Sequence, residues 1–308
     1  MNLPLDVQAI DRIEVLQGSG ARMFGPNAFN GAVHLITRNP GTQAVRLRLG
    51  GGSHAYLGGA LSGGFQKGNS SHLISGGYQR SNGHTANTDF TSASIFYGGH
   101  YRAGENRIEA MAGYHGKAFG ANQFYTPRFP DQFEEIQSHF LSFKFIPGNY
   151  PDLQATAYYR GHKDRFELFR HEAPAWYAGH NHHLNRTAGF SVNARLNGKK
   201  STSLAGLETR YEHIYSNVLG FAMNQPKEVT AYPGAQYTRS YDRFGLSLMA
   251  EHNLYLGNFG LSAGALLYIG NRLQGNAGFF PGIDLGWQLS RYLRWHASVG
   301  RALRLPTF

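Results

Sequence analysis

The sequence contains no cysteine, few charged residues and no long apolar run. With 0 Cys among 308 residues, disulfide frameworks and cysteine-based metal or catalytic sites are excluded. Charged residues make up 16% of the chain, against about 25% in soluble proteins. No segment approaches the roughly 18 consecutive apolar residues of a membrane-spanning helix, and the best candidate, Leu261 to Ile269, is interrupted by Ser262 and Gly264. A helical membrane protein is therefore excluded.

Motifs of nucleotide binding and export are also missing. Gly18, Gly20 and Gly25 do not fit the spacing G-x-G-x-x-G, and no Lys-Ser or Lys-Thr pair stands beside them to form a phosphate-binding loop. Neither H-E-x-x-H nor S-x-x-K occurs in the chain. The first residues, MNLPLD, have neither the basic start nor the apolar core of a secretory signal. These absences disfavour an enzyme, and we expect an exported form of the chain to begin further upstream.

Glycine and aromatic residues are abundant instead, with 40 Gly and 14% aromatics, and the net charge is +10. The basic residues are scattered singly, and the tightest group, Arg195 with Lys199 and Lys200, brackets an Asn-Gly turn. Because nucleic-acid binding usually needs basic residues clustered on one face, the sequence predicts no nucleic-acid partner. Many aromatics with little charge are typical of a sheet whose outer face meets lipid.

Beyond residue 42, apolar residues alternate with small or polar ones. Along residues 244–250, the even positions are apolar and the odd positions are small or polar, and residues 259–269 and 283–289 repeat this alternation. Side chains alternate faces along a strand, so each segment has one apolar side and one polar side. We predict about thirteen antiparallel strands from this pattern. They lie near 44–51, 54–66, 71–80, 88–102, 106–117, 135–146, 153–169, 186–197, 201–217, 236–256, 259–272, 278–289 and 292–304.

Two classes of connection alternate along the chain between these strands. One class is short and rich in Gly, Asn and Pro, as at 67–70, 103–105 and 197–199. The other class contains every long connection, at 81–87, 118–134, 170–185 and 218–235, together with two brief ones at Gly52-Ser53 and 273–277. Outer-membrane barrels have short periplasmic turns and longer extracellular loops, so the long connections are predicted to be extracellular. A soluble barrel or sandwich also alternates, but such a strict long-short order favours the membrane barrel.

Residues 10–38, IDRIEVLQGSGARMFGPNAFNGAVHLITR, carry the most specific signal. They resemble the last part of the plug domain of TonB-dependent outer-membrane receptors, where a pattern of the form IERIEVLRGP…YGxNAxGGVINIITK recurs. The plug residues that match or flank this pattern are Arg12, Glu14, Gly18, Gly25, Asn27, Gly31 and Arg38. The resemblance implies that Arg12, Glu14 and Arg38 lie inside the lumen and form ion pairs with polar barrel side chains.

The resemblance implies an all-β fold, a membrane antiparallel β-barrel of which about 13 of about 22 strands are present. Residues 1–40 would be the C-terminal end of the plug, and residues 41–308 an incomplete transmembrane barrel. Because an open sheet edge in lipid leaves backbone groups unsatisfied, we expect the natural chain to continue beyond Phe308. The TonB box and most of the plug would precede Met1.

The resemblance further implies a receptor in the outer membrane of a Gram-negative bacterium. Such a receptor binds a scarce nutrient, such as cobalamin or a ferric siderophore, and takes it up with energy from the TonB complex. Its other partners would be outer-membrane lipid and lipopolysaccharide, and no cofactor is implied. Two alternatives stay open: a plugless diffusion porin and, less favoured, an outer-membrane barrel enzyme with residues at its rim.

Two predicted extracellular loops supply candidate ligand-binding residues, because loops on a rigid barrel carry function. They are Phe124, Tyr125, Arg128, Trp176, Tyr177, His180, His182 and His183. An alternative for the aromatic residues is that they pack the loops against their neighbours. The histidines could ligate a transition metal or haem iron, but no carboxylate or Cys completes a set at metal-ligand spacing, so we predict no metal site. No catalytic residue is predicted.

Overall fold

The computed structural model describes residues 4–17, 21–28, 31–41, 45–150, 152–273 and 275–306. Among them, no helix is long and apolar enough to cross a membrane. A 3-10 turn, Val7–Ala9, precedes the first strand. The elements are β1 Ile10–Gln17, α1 Ala21–Phe24, β2 Gly31–Thr37, β3 Val45–Gly52, β4 Tyr56–Lys67, β5 Ser70–Ser81, β6 Phe90–Ala103, β7 Asn106–Gly120, β8 Phe133–Ile146, β9 Leu153–Glu167, β10 Asn181–Asn197, β11 Ser201–Ser216, β12 Phe221–Glu228, β13 Gln236–Leu256, β14 Phe259–Gly270, β15 Ala277–Gln288 and β16 Arg294–Gly300.

The strands from β3 onward form a 14-stranded antiparallel sheet in which chain neighbours pair with one another. The order runs from β3 to β11 and on through β13 to β16, and β12 pairs with β13 off this path. Consecutive antiparallel strands need only a short turn, which is why Gly68, Gly104 and Gly257 hold positive φ angles at one end. That end is called the short-turn end, and the opposite one, with the connections before β6, β8, β10 and β13, the long-loop end. The predicted partial antiparallel barrel is confirmed.

Each of the thirteen predicted strands is present, although the last one ends at Gly300 rather than near 304. The structure differs further from the prediction at two places. Strand β12 lies inside the connection predicted as a loop at 218–235. It covers part of an edge of β13 that β14 leaves unpaired, because β14 reaches only Gly245. Its sequence, FAMNQPKE, does not alternate, so periodicity could not reveal it. Strand β10 begins at Asn181 rather than near 186, which moves His182 and His183 from the loop into the strand.

The sheet has an inner face and an outer face, and the apolar rows lie on the outer one. In β13 the odd residues from Arg243 to Met249 are buried, whereas Phe244 is 47% and Leu248 38% exposed. In β8, Leu141, Phe143 and Phe145 are likewise exposed. The predicted alternation therefore holds, with the apolar rows on the face away from the N-terminal segment.

The N-terminal segment, residues 4–28, is described at 4–17 and 21–28. These two parts pack against the inner face at two places. Near β4 to β8, Ala9 is buried with Leu73 and Phe96, and Leu5 packs beside them. Near β13 to β15, Met23 of α1 packs against a second buried cluster formed by Met249, Leu266, Tyr268, Phe280 and Leu305. The described parts of the segment therefore contact the inner face at two separate regions of the sheet.

Strands β1 and β2 form their own two-stranded sheet, separate from the large one. Their register pairs Ile13 with Leu35 and Val15 with Val33. The large sheet begins at β3, Val45–Gly52. The division of the chain into a plug piece at 1–40 and a barrel piece at 41–308 stays a prediction.

Candidate functional site

Arg22 joins the N-terminal segment to the large sheet. The short helix α1 lies against β13, β14 and β15, and it places the Arg22 guanidinium between two carboxylates of the inner face. Its Nε donates to Glu251 Oε2 at 3.1 Å, and its Nη2 donates to Asp284. The side chains of Arg22 and Glu251 are only 10% and 14% exposed. Such partly buried, charge-assisted hydrogen bonds are stronger than exposed pairs.

Space for this guanidinium comes from a glycine in the wall. A Cβ at Gly282 would lie 2.5 Å from Arg22 Nη1, closer than two such atoms can approach. The sequence places Glu251 and Asp284 on the polar side of their strands, but it does not indicate their partner. Because 229 residues separate Arg22 from Glu251, no local pattern could pair them.

Arg12, Glu14 and Arg38, for which the resemblance implies ion pairs with the barrel, make local contacts. Arg12 Nε donates to Glu14 at 2.8 Å, and both side chains are at least 50% exposed. Glu14 also lies 3.5 Å from His34 of β2, and Arg38 Nε donates to the carbonyl of Ile10 at 3.3 Å. Among the described residues, the ion pairs of Arg12 and Glu14 therefore stay within the β1–β2 hairpin and its flank, and pairing with the barrel stays a prediction. Arg22 forms ion pairs with the large sheet.

Three of the four remaining plug residues can be located. Gly25 has φ +82°, a conformation that favours glycine, and a Cβ at this position would lie 3.4 Å from Glu208 Oε2. Asn27 Oδ1 accepts from the Leu305 amide at 3.2 Å, which ties the segment to residues after β16. Gly31, at the start of β2, has φ +141°. Gly18 lies outside the described residues.

A second polar network lines the inner face beside Gly25. Tyr158 donates a hydrogen bond to Glu208 at 2.5 Å. Glu212 forms ion pairs with Arg210 at 2.8 Å and with Arg243 at 2.5 Å. Arg243 also donates to the Pro306 carbonyl at 2.8 Å. These residues come from β9, β11 and β13, so the network spans several strands beneath the N-terminal segment.

At the long-loop end, Asn87 and Arg170 fasten three loops together. Asn87 Nδ2 donates to the carbonyls of Pro130 and Gln132 at 2.9 and 2.7 Å, and Arg170 donates to Asn87 Oδ1 at 3.1 Å. Arg170 also holds Asp89 through two hydrogen bonds of 2.6 and 3.0 Å. The loops before β6, β8 and β10 therefore form one connected surface.

Replacing Asn87 with alanine should loosen this surface. The change removes two donated hydrogen bonds and one accepted one, and it places alanine at a φ of 54°. We expect the local free energy of opening of residues 121–132 to fall by about 2–3 kcal/mol. Hydrogen exchange of those amides measures it. Asn87→Gly removes the same side chain without the backbone strain, so it should cost less; equal protection in wild type and Asn87→Ala would contradict this role.

Low pH should weaken the same junction through Asp89. The hydrogen bond from Arg170, and then its charge, lower the pKa of Asp89 below the ordinary value of 3.8. A lowered folded-state pKa means that the stabilisation is complete above the unfolded pKa and is lost as the pH falls through the lowered value. Because the Asp89 side chain is 38% exposed, the loss should stay within about 1 kcal/mol. The acid-induced rise in loop hydrogen exchange should be absent in Asp89→Asn.

The candidate ligand-binding residues do not form one site. Phe124, 71% exposed, stacks edge-on against Tyr125 at 4.8 Å between ring centroids. Tyr125 meets Phe166 at 5.3 Å and donates to Glu134, and burial raises its pKa. Arg128 is exposed and lies over Phe129. These residues of the loop before β8 contact the inner-face parity of β8 and β9.

The second loop forms an aromatic cluster of its own. Phe169 contacts Phe129, Trp176 and Tyr177 at 5.3–5.5 Å, and Tyr177 lies 5.8 Å from His180. Trp176 is 66% exposed, whereas Tyr177 accepts from the Leu168 amide at 3.1 Å. Packing between loops thus accounts for Tyr177, and Trp176 is the exposed aromatic of this cluster.

The three histidines of the His-x-His-His run are divided between the two faces. His182 is buried on the outer face beside Tyr232, at 5.2 Å between ring centroids. His183 points to the inner face and bonds Ser216 Oγ at 2.8 Å. His180 is half-buried and lies 6.4 Å from His182. Within the described part of the chain, no group of three His, Cys, Asp or Glu is arranged to hold a metal ion.

A serine pattern of hydrolases occurs once, as Gly260-x-Ser262-x-Gly264. In hydrolases this serine sits on a sharp turn between a strand and a helix. Here all five residues lie within β14, and Ser262 is paired opposite Asp284 and Asn253 in the sheet register. The strand lacks the turn that exposes a nucleophile, so the pattern carries no catalytic meaning.

Known proteins resemble both the fold and part of the sequence. A scan against models of protein families finds no match. The vitamin B12 transporter BtuB of Photobacterium profundum is 36% identical over 63 residues, which is 20% of this chain and 10% of that protein. The FrpB iron transporter of Neisseria meningitidis superposes with a TM-score of 0.74 at 16% identity, over 98% of this chain and 54% of that one.

The chain has the fold of a TonB-dependent receptor. The fold that the resemblance of residues 10–38 implies is thereby confirmed. Two more solved structures agree: the copper transporter OprC, with a TM-score of 0.73 at 14% identity over 97% of this chain, and the siderophore receptor PirA of Pseudomonas aeruginosa, with 0.69 at 16% over 97%. These relatives are transporters or receptors. The chain spans about half the length of the solved TonB-dependent receptors that it matches, 51% of OprC and 50% of PirA.

Proposed function

We propose that this chain is part of an outer-membrane receptor that binds a scarce nutrient and takes it up with energy from the TonB complex. The nutrient would be cobalamin or a ferric siderophore. The observation that carries the proposal is residues 4–28 held against the inner face by Arg22, Glu251 and Asp284. A segment held by these ion pairs and by two small apolar clusters can block a lumen at rest and still be moved by applied force.

The outer face supports the membrane location. Its apolar rows are exposed, and the side chains of Trp287 and Trp295 lie exposed on this face near the short-turn end. Amphipathic rings favour the interface between lipid and water. Outer-membrane lipid and lipopolysaccharide are therefore the proposed surroundings of this face.

Transport measurements test the proposal. The gene that encodes the chain would be expressed in a Gram-negative strain that lacks its own cobalamin and siderophore receptors. We expect uptake of labelled cobalamin or of a radioactive ferric siderophore, and we expect the uptake to disappear when the TonB gene is deleted. Uptake that persists without TonB would contradict the proposal.

A diffusion pore is the second candidate, and one observation favours it. A cavity of about 910 Å³ lies between α1 and the sheet, lined by Arg22, Phe24, Asn193 and Asp284 among others. Conductance in planar lipid bilayers separates the two functions. A plugged receptor should stay closed, whereas a porin should conduct ions continuously and independently of TonB.

A further inference from the structure

A separate cavity of about 450 Å³ lies at the long-loop end between β5, β6 and β7. Its lining includes Gln79, Ser92, His115, Lys117 and Phe119. Within their strands these residues share the parity of Gly77, Phe96 and Gly113. A Cβ at Gly77 would meet Asp6 of the N-terminal segment, and one at Gly113 would meet the Pro4 carbonyl. The cavity therefore belongs to the inner face, on the long-loop side of residues 4–9.

The described lining of this cavity carries positive charge and no negative charge. Lys117 supplies an ammonium group 4.1 Å from the centre of the Phe119 ring, and none of the described residues that line the cavity is a carboxylate. Asp89, which precedes β6, is held by the bidentate contact with Arg170. An uncompensated ammonium beside an aromatic wall attracts an anion more strongly than it would in bulk water.

The neutral groups of the cavity complement this charge. His115 Nε2 shares a hydrogen bond of 3.1 Å with Ser92 Oγ. The other ring nitrogen, Nδ1, is buried and has no hydrogen-bond partner in the described part of the chain. Leaving such an atom unsatisfied costs about 1–3 kcal/mol, which a ligand oxygen or hydroxyl could recover. The Gln79 amide and the Ser92 hydroxyl add further hydrogen-bonding groups.

We propose that this cavity binds an anionic, oxygen-rich group of the transported nutrient, with Lys117 as the charged anchor and His115 and Ser92 as hydrogen-bonding partners. The proposal rests on the receptor function proposed above and narrows its substrate to anionic chelates. The loops fastened by Asn87 and Arg170 stand beside the cavity and keep its entrance in place.

Binding of two iron chelates of different charge tests the site. The receptor that contains this chain would be purified in detergent micelles and titrated with the anionic ferric complex of catechol and with the neutral ferric complex of acetohydroxamic acid. We expect the anionic chelate to bind at least about tenfold more tightly, because a charge-assisted contact contributes about 1.5–3 kcal/mol. Lys117→Gln should weaken the anionic chelate by about the same factor and leave the neutral one unchanged.

Two variants serve as controls. Lys117→Arg keeps the charge and should stay within about threefold of wild type, and Arg80→Gln removes a charge from the opposite face of β5 and should have no effect. Unchanged mobility of the folded form on a gel shows that Lys117→Gln still folds. Equal affinity for the two chelates, or an unchanged affinity in Lys117→Gln, would overturn the anion site. Either result would leave the proposed receptor function standing, because the TonB dependence of uptake is measured in a separate experiment.

Discussion

Replacing Arg22 with alanine should release the N-terminal segment from the large sheet. The change leaves Glu251, 14% exposed, without its cation, and it leaves two carboxylates of the inner face beside each other. Removing one partner of a buried pair costs about 3–5 kcal/mol. Because Asp284 is 39% exposed, we expect a value near the lower end, about 3 kcal/mol. Trypsin should then cut at Arg12 and Arg38 many times faster than in wild type.

Arg12→Ala is the matched control for this prediction. Arg12 also belongs to an ion pair, but its side chain is 60% exposed and its partner Glu14 is 50% exposed. Such exposed pairs contribute about 0–1 kcal/mol, so protection of the remaining site at Arg38 should hardly change. Adding Glu251→Gln to Arg22→Ala should restore part of the loss, because it removes the uncompensated charge. Equal proteolysis of wild type and Arg22→Ala would refute the role of Arg22.

Val192→Arg should lower the free energy of unfolding far more than Asn193→Arg does. Val192 lies on the outer face of β10, in the row of Phe190 and Leu196, which are 45% and 71% exposed. Asn193 faces inward and lines the 910 Å³ cavity. Arginine on the lipid face of a barrel costs about 2–4 kcal/mol near the bilayer midplane. The same side chain in this inner-face cavity should cost less than about 1 kcal/mol.

Unfolding by urea in lipid vesicles measures both variants under the same conditions. The pair is closely matched because the two positions are adjacent and the introduced side chain is identical. Only the face of the strand differs between them. Equal destabilisation by Val192→Arg and Asn193→Arg would show that the outer face does not meet hydrocarbon.

The strands could be predicted because their information is local. In β13 and β14 the alternation of residues fixes both the strand and the face, and the observed register between them runs without a shift from Gly245 opposite Gly270 to Leu256 opposite Phe259. The plug resemblance likewise rests on contiguous residues. Strand β12 was not predictable, because its formation depends on the unpaired edge of β13 rather than on a pattern of its own.

The site was harder to predict because its contacts join distant residues. The charged residues nearest to the family pattern, Arg12 and Glu14, pair locally, whereas Arg22 reaches across the fold. The run His180, His182 and His183 suggested one group, but strand geometry sends His182 and His183 to opposite faces. Only the extent of β10, which depends on its neighbours β9 and β11, decides this outcome.

Spin labels along β10 test the central claim most directly. The chain has no cysteine, so single cysteines placed at successive positions from 187 to 196 each give one labelled site. In lipid vesicles, the even positions should be accessible to dissolved oxygen, which concentrates in hydrocarbon, and the odd positions should not. Accessibility with the opposite parity, or without any alternation, would contradict a sheet whose apolar rows face lipid and whose inner face holds residues 4–28.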